Sequence, residues 1–283
     1  MSTRRLLDDA AGRLEHGGVS SPRHDAEVLL SHVTGIPRAL LALTARVDDA
    51  QRRTYLEMID ARARRVPLQH ITGVAGFRYV DVEVGPGVFV PRPETELLAG
   101  WAVDAAQDVL SGQERPPVVV ELCAGSGAIS LSIVHEVPRA LVHAVELDEG
   151  AYAWALRNLD GTGVDLRLGD MSDAFADLDG QVDVVVANPP YIPLEAWESV
   201  APEARDHDPA LALWSGDDGL DAMRVVESVA HRLLRPGGVV GAEHADAQGE
   251  SAPEVFTAQA RWDQVRDHLD LAERPRFVTA RRR

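Results

Sequence analysis

The chain has 283 residues, 45% of them hydrophobic and 26% charged, a composition typical of a globular protein with a substantial core. Its net charge of −17 originates in residues 76–283, which hold 17 basic against 36 acidic residues. Nucleic-acid binding relies on basic residues that neutralise phosphates, so this acidic part of the chain disfavours DNA or ribosomal RNA as the direct substrate. The single cysteine excludes an internal disulfide. No apolar run approaches the roughly 18 residues of a membrane span, and the N-terminus has no apolar core of the signal-peptide type. A cytoplasmic protein without membrane attachment is therefore expected.

Residues 1–75 show the period of short helices and predict a small N-terminal helical domain. The first clear helix has Pro22 at its first position and ends before Gly35, as the preferences of helix termini require. Two further segments, 37–46 and 48–67, have the same pattern.

Residues 76–92 change to aromatic and β-branched residues, which favour strands. The sequence Gly85-Pro86-Gly87 interrupts them and is typical of a turn. A β-hairpin with this turn is therefore predicted as the connector between the helical domain and the rest of the chain.

From residue 93 to residue 283, helix and strand patterns alternate, which predicts a mostly parallel sheet with helices on both faces. A helix is predicted over 93–110 and another over 252–262. The predicted strands cover 118–122, 140–148, 164–170, 183–190, 239–245 and 276–282. Ligands of such sheets bind at the carboxyl ends of the strands, so the residues that follow each strand are the candidates for function.

The first of these strands ends in a glycine-rich turn. Gly125 and Gly127 allow a sharp turn and a close approach of a ligand to the backbone. Glu121 lies just before this turn, and Glu146 follows Gly127 by 19 residues, about the spacing at which an acidic residue accepts hydrogen bonds from ribose hydroxyls.

Two cofactors compete for this turn, and an ordinary turn without a ligand is the third interpretation. A dinucleotide fingerprint expects glycine at position 130, which is Ser130, and does not need an acid at position 121. S-adenosylmethionine has a ribose and a cationic amino-acid end, so it would use both Glu121 and Glu146. Once that cofactor is assumed, Asp170 could accept from the adenine amino group and Met171 could lie against its ring, although an acid after a strand is often only a cap.

The apolar run 184–187 stops at Asn188-Pro189-Pro190-Tyr191. The Asn188 side chain offers one oxygen acceptor, and Pro189 offers a backbone carbonyl that the proline rings hold rigidly. Together they could orient a planar NH₂ group with its lone pair toward a methyl donor, while Tyr191 forms an aromatic wall. A plain proline-rich turn is the alternative interpretation.

The chain resembles the release factor glutamine methyltransferases of the HemK/PrmC type. The resemblance lies in the "FVPRPETE" segment joined to a helical domain, in "ELCAGSGAIS" and in "NPPYI"; the matching stretches are 66–98, 121–130, 188–192, 211–221 and 242–250. It implies a Rossmann-like class I fold with a mostly parallel seven-stranded sheet, a catalytic domain over 93–283, and a helical domain over 1–75 that helps to dock the release factor. It also implies methylation, with S-adenosylmethionine as cofactor and S-adenosylhomocysteine as product, of the glutamine in the Gly-Gly-Gln motif of peptide chain release factors.

The resemblance assigns roles residue by residue. Asn188, Pro189 and Tyr191 are expected to be catalytic; Pro190, Phe89, Arg92 and Glu94 join them in binding the substrate. The expected cofactor site comprises Glu121, Cys123, Ala124, Gly125, Ser126, Gly127, Glu146, Asp170, Met171 and Asn188. For the segment 89–94, a stiff helix entry with no ligand contact remains the alternative.

Other functions stay open at this point. The same chemistry could act on a glutamine of a ribosomal protein, and the Asn-Pro-Pro-Tyr motif also occurs in adenine-N6 methyltransferases of DNA. A NAD-binding oxidoreductase is disfavoured by Ser130. No metal site is expected because the 10 histidines show no ligand spacing, and a monomer without direct nucleic-acid binding is expected.

Overall fold

A computed structural model describes residues 2–43, 46–113 and 115–283 of the chain. The chain forms two compact units: Met1–Val74 with Ala201–His207, and Ala75–Val200 with Asp208–Arg283. The first unit is helical, and the second holds the main sheet.

The helical unit contains four helices from the N-terminal part of the chain and one from a later segment. These are α1 (Thr3–His16), α2 (Pro22–Thr34), α3 (Asp49–Ala63), α4 (Leu68–Thr72) and the short α8 (Pro202–His207), with a 3₁₀ helix over Arg38–Leu43. The helix predicted between Pro22 and Gly35 is confirmed, and Gly35 ends it with a φ of 68°. The predicted helix over 37–46 is a 3₁₀ helix as far as Leu43, and its continuation over 44–45 lies outside the described residues.

Leucines from α1 and α2 pack against α3 to form the core of this unit, with Tyr55 and Ile59 fully buried among them. The Tyr55 hydroxyl donates to the Ala26 carbonyl at 3.1 Å, so its buried polar atom has a partner. Asp48 begins α3 with a reciprocal capping pair to Gln51.

The predicted hairpin is present, but its turn lies elsewhere. Strands β1 (Val74–Phe77) and β2 (Val80–Glu83) are joined through Arg78, which adopts a φ of 51°. The Gly85-Pro86-Gly87 turn follows β2 instead of joining the strands. Arg78 makes a two-pronged ion pair with Glu136 at 2.6 and 2.8 Å, which fixes the tight turn against the next helices.

The main sheet has seven strands in the order β5-β4-β3-β6-β7-β9-β8. The strands are β5 (Asp165–Leu168), β4 (Leu141–Glu146), β3 (Val118–Leu122), β6 (Val182–Ala187), β7 (Leu234–Glu243), β9 (Pro275–Arg282) and β8 (Trp262–Leu269). The first five are parallel to one another, and β9 runs antiparallel to both of its neighbours. The expected α/β fold with a mostly parallel seven-stranded sheet is therefore confirmed.

Two apolar layers cover the sheet, and every residue of β6 is buried between them. The helices of this unit are α5 (Thr95–Gln113), α6 (Ala128–Glu136), α7 (Glu149–Asn158), α9 (Asp221–Leu233) and α10 (Ser251–Thr257). Strand order reverses at β3, because β4 lies on one side of it and β6 on the other. Sheets of this kind bind ligands beside such a reversal, at the carboxyl ends of the strands.

The C-terminal edge differs from the sequence prediction. The helix expected over 252–262 ends at Thr257, and Trp262 begins β8, a strand that the pattern did not predict. Most side chains of β8 are exposed or half-buried, as they are at an edge of the sheet. The hydrophobic residues of β8 therefore do not alternate strictly with polar ones. The sequence pattern alone does not distinguish this strand from a polar loop.

Candidate active site

The carboxyl ends of β3, β4, β6 and β7 lie side by side, and the first three carry predicted functional residues. Four polar residues lie in or directly after these strand ends: Glu121, Glu146, Asn188 and Glu243. The reversal of strand order thus brings together residues from separate parts of the chain.

The turn after β3 depends on three left-handed residues. Cys123 has a φ of 59°, Gly125 of 56° and Gly127 of 80°. A Cβ on Gly127 would lie 3.0 Å from the Leu159 side chain, so this glycine is needed for packing. A Cβ on Gly125 would meet no atom within 4 Å, so the backbone at Gly125 faces open space in which a ligand could lie.

The remaining residues of the turn are held by backbone bonds. The Ala124 amide donates to the Val145 carbonyl at 3.0 Å, which joins the turn to the end of β4. Ser126 is buried, and its carbonyl accepts from the Asn158 side chain at 2.9 Å. Ser126 is thus packed within the turn.

Glu146 lies directly beside this turn. One oxygen of its carboxylate accepts from the Gly125 amide at 2.7 Å, and the other accepts from the Asp148 amide at 2.8 Å. Burial raises the pKa of Glu146, and these amide donors act against the increase. A carboxylate in this place could accept hydrogen bonds from ribose hydroxyls, as the spacing of the sequence suggested.

Glu121 is more deeply buried than Glu146, with 1% of its surface exposed. Its carboxylate accepts from the Ser130 amide at 2.9 Å and from the Ser130 hydroxyl. Burial raises the pKa of Glu121 to about 8. Position 130, where a dinucleotide site would need glycine, thus holds the partner of this carboxylate.

Two sulfur atoms meet at the same edge: Cys123 Sγ lies 3.6 Å from Met171 Sδ. Burial raises the pKa of the Cys123 thiol, which therefore stays protonated and is unsuited to act as a nucleophile. Asp170 is exposed and accepts from the Ser172 amide at 2.8 Å, which lowers its pKa. Asp170 is thus an ionised acceptor next to Met171, and its contact with an adenine stays a prediction.

Asn188 follows β6 and is only half-buried. Its amide nitrogen donates to the Thr95 hydroxyl at 3.4 Å, and no described residue donates to its side-chain oxygen. This oxygen can therefore accept a hydrogen bond from an incoming NH₂ group. Pro189 is buried and Pro190 half-buried, so the turn is held by packing as well as by its rings.

Tyr191 packs against the end of the neighbouring strand. Its hydroxyl donates to the Glu243 carboxylate at 3.2 Å, and burial raises the pKa of the phenol. Its carbonyl accepts from the Gln248 side chain at 3.1 Å, and a Cβ on Gly219 would lie 2.3 Å from that carbonyl oxygen. These contacts fix the orientation of the Tyr191 ring.

The segment ahead of α5 is also held in place. The Arg92 guanidinium lies 4.7 Å from the centre of the Phe89 ring and donates to Asp208 at 2.6 Å. Burial raises the pKa of Asp208 to about 6. Glu94 is exposed. Contact of this segment with a ligand stays a prediction.

Sequence reasoning missed Thr95, Glu243 and Arg276 at this site. Thr95, which directly follows the segment 89–94 that was expected to bind the substrate, was interpreted only as part of the helix 93–110, and Glu243 is the last residue of β7. For Glu243, the available signal was an acid that ends an apolar strand. A carboxylate at such a position is rarely buried unless it has a hydrogen-bond partner or a function.

Within the described part of the chain, no cluster of three or more His, Cys, Asp or Glu residues is arranged to hold a metal ion. Among the same residues, no helix has the length and apolarity that crossing a membrane requires.

The sheet order, the glycine turn and the acids beside it define a Rossmann-like, S-adenosylmethionine-dependent methyltransferase. The family model "Methyltransferase small domain" matches residues 103–201, and the model "PrmC N-terminal domain" matches residues 5–73. Three observations of the structure fit the cofactor: the open space at Gly125, the carboxylate of Glu146 and the sulfur pair at Met171.

Relatives match nearly the whole chain. The release factor glutamine methyltransferase of Streptomyces coelicolor is 58% identical over 96% of this chain and 95% of its own length. The enzyme of the same name from Mycolicibacterium smegmatis is 42% identical over 99% of this chain and 97% of its own. The chain belongs to the release factor glutamine methyltransferase family.

A further relative carries a different name. The 4-amino-L-phenylalanine/4-methylamino-L-phenylalanine methyltransferase of Streptomyces pristinaespiralis is 40% identical over 91% of this chain and 88% of its own length.

Proposed function

We propose that the protein methylates the side-chain amide nitrogen of the glutamine in the Gly-Gly-Gln motif of peptide chain release factors, with S-adenosylmethionine as the methyl donor. The observation that carries this proposal is the free side-chain oxygen of Asn188, held by Thr95 at the edge of a methyltransferase sheet. Near full-length similarity to enzymes named for this reaction supports it. We further propose that the enzyme acts as a monomer in the cytoplasm, where release factors work.

The protein's own groups would position the amide and not activate it chemically. The bound cofactor supplies an electrophilic methyl group on a sulfonium. Asn188 and Pro189 would accept the two N–H bonds, which leaves the nitrogen lone pair facing that methyl group. An amide nitrogen is a poor nucleophile, so holding it in line and favouring pyramidal nitrogen is the contribution to expect from such a turn.

We assign the cofactor to the turn 123–127 together with Glu121, Glu146, Asp170 and Met171. Glu146 would accept from the ribose, and Asp170 and Met171 would hold the adenine. The glutamine would lie against Asn188–Tyr191, and the segment 89–94 would cover it. The fixed position of Arg92 on Asp208 supports a wall at that place.

Free aromatic amines are a second candidate class of substrate. They are favoured by the relative named for 4-amino-L-phenylalanine, whose reacting group is also a planar NH₂. The same pair of acceptors could hold either group.

The test is mass spectrometry of a purified release factor after incubation with the enzyme and the cofactor. One added methyl group on the loop glutamine is expected, and none on a release factor in which that glutamine is replaced by asparagine. Parallel incubations with ribosomal proteins, with DNA and with 4-aminophenylalanine cover the other substrates. Faster methylation of any of these would refute the proposal.

Asn188→Ala should lower kcat by about 10²-fold or more, the usual cost of removing one transition-state contact. A matched control is Gln181→Ala, which removes an exposed amide from the opposite end of β6. This control should methylate at the wild-type rate. An Asn188→Ala enzyme as fast as the control would contradict the role of the Asn188 side chain.

A further inference from the structure

Glu243 is a buried carboxylate that the positioning of the substrate does not explain. It is the last residue of β7, and 1% of its surface is exposed. One oxygen accepts from the Tyr191 hydroxyl at 3.2 Å, whereas the other, Oε2, has no hydrogen-bond partner among the described residues. A buried acceptor without a partner is costly, so its presence indicates a use beyond stability.

Four groups influence this carboxylate. Arg276 on β9 favours the ionised form, and so does the Thr95 hydroxyl at the start of α5; Glu94, just ahead of α5, opposes it. Tyr191, after β6, donates to it. Arg276 is shared, because it also donates to Asp270 at 3.1 Å.

Glu243 can therefore take up and release a proton near neutral pH. Burial, the largest effect, raises its pKa to about 7. Among the described residues no salt bridge holds this carboxylate in its ionised form, in contrast to Asp208, which Arg92 contacts at 2.6 Å. By contrast, Glu121 accepts from Ser130 on α6, and the two oxygens of Glu146 accept from the Gly125 and Asp148 amides.

We propose that Glu243 is a positioning residue that receives, through the Tyr191 hydroxyl, the proton that the substrate nitrogen releases on methylation. This inference rests on the proposed function.

The step balances in atoms and charge. The nitrogen–carbon bond forms as the carbon–sulfur bond breaks, and the sulfonium charge passes to the nitrogen group, which then holds one proton too many. The oxygens of Asn188 and Pro189 are weak bases and cannot keep that proton. Tyr191 accepts it on its oxygen and passes its own proton to Glu243, so the product amide and the tyrosine end neutral and the carboxyl ends protonated.

The first test is the pH profile of kcat, measured with a release factor between about pH 5.5 and 9. Ionised Glu243 is the active form, so wild-type kcat should rise with pH and level off above about 7. Glu243→Gln keeps an acceptor for the Tyr191 hydroxyl but removes the basic group. We expect kcat to fall at least about 10²-fold with KM little changed, and the acidic limb of the profile to disappear.

Tyr191→Phe should lose the same limb, because it interrupts the route to Glu243. Glu250→Gln is the matched control, because Glu250 is an exposed acid close to Glu243 in the sequence. It should keep the wild-type profile. Circular dichroism and calorimetric cofactor affinity verify that each variant is folded. A wild-type acidic limb in Glu243→Gln, at a normal kcat, would overturn the proposal.

The second test does not depend on activity. In ¹³C spectra of the enzyme without cofactor, one carboxyl carbon should titrate near pH 7, be absent from Glu243→Gln and shift its midpoint in Tyr191→Phe. An unshifted midpoint in Tyr191→Phe would refute the coupling. If the wild-type enzyme methylates no release factor, the proposed function fails by itself, and this titration still decides whether Glu243 and Tyr191 exchange a proton.

Discussion

At the scale of single residues, the two acids near the cofactor turn differ in what holds them. Glu146 accepts from backbone amides and remains partly exposed, whereas Glu121 is almost fully buried against Ser130. Both could serve a cofactor, and burial raises the pKa of both, so each opposes folding as the pH rises; Glu121 is the more deeply buried of the two.

Glu121→Gln should gain stability relative to the wild type as the pH rises from about 5 to 8. The folded pKa of about 8 lies above the ordinary value of 4.5, so the unfolded chain loses its proton first and wild-type stability declines across this window. Glutamine can still accept from the Ser130 amide and has no charge to lose. Thermal unfolding at several pH values measures the difference.

Glu57→Gln, at an exposed position of α3, is the control and should follow the wild type at every pH. A constant difference between Glu121→Gln and the wild type would show that burial of Glu121 does not shift its ionisation. Calorimetry should also show weaker cofactor binding by Glu121→Gln if this acid serves the ammonium group.

At the scale of elements, a buried ion cluster holds α8 within the helical unit. Arg62, near the end of α3, contacts Asp25 on α2 at 2.7 Å and Glu203 on α8 at 3.0 Å. Arg65 adds a second bond to Glu203 at 2.5 Å. The same Glu203 has a pKa lowered to about 2, because these arginine bonds outweigh its burial.

Arg62→Ala should destabilise the helical unit by about 3–5 kcal/mol, because it leaves the buried Asp25 carboxylate without its arginine partner and leaves Glu203 with Arg65 alone. Arg64→Ala, at an exposed position of the same helix end, should change stability by no more than about 0.5 kcal/mol. Urea unfolding followed by circular dichroism compares them. Equal unfolding midpoints for the two variants would contradict the assigned role of the cluster.

At the scale of the whole molecule, the two units have separate apolar cores. The helical unit is built around Tyr55 and Ile59, and the other unit is built around the layers on both faces of its sheet. All the residues that we assign to the cofactor belong to the second unit.

Scanning calorimetry should therefore show two unfolding transitions. S-adenosylmethionine should raise the midpoint temperature of only the transition that belongs to the sheet-containing unit. A ligand at about 100 times its Kd stabilises the state that binds it by about 2.7 kcal/mol. Arg62→Ala should lower the midpoint temperature of the transition of the helical unit alone. An equal shift of both transitions by the cofactor would indicate that the units unfold together.

Local patterns in the sequence determined much of this protein. Helix period, capping residues and prolines act within a few residues of the chain, so α2, the parallel strands and the turn at Asn188 were predictable. The glycines and acids after the strands were predictable for the same reason, because parallel strands place their carboxyl ends at one edge.

Only the tertiary structure decided which distant residues meet there. Tyr191 and Glu243 are 52 residues apart and Asn188 and Thr95 are 93 apart, and these pairs depend on strand order and on how α5 packs. Likewise, β8 is a strand because β9 offers it an edge, and α8 belongs to the helical unit because Arg62 and Arg65 hold Glu203. Such contacts are set by the packing of whole elements, which no short stretch of sequence encodes.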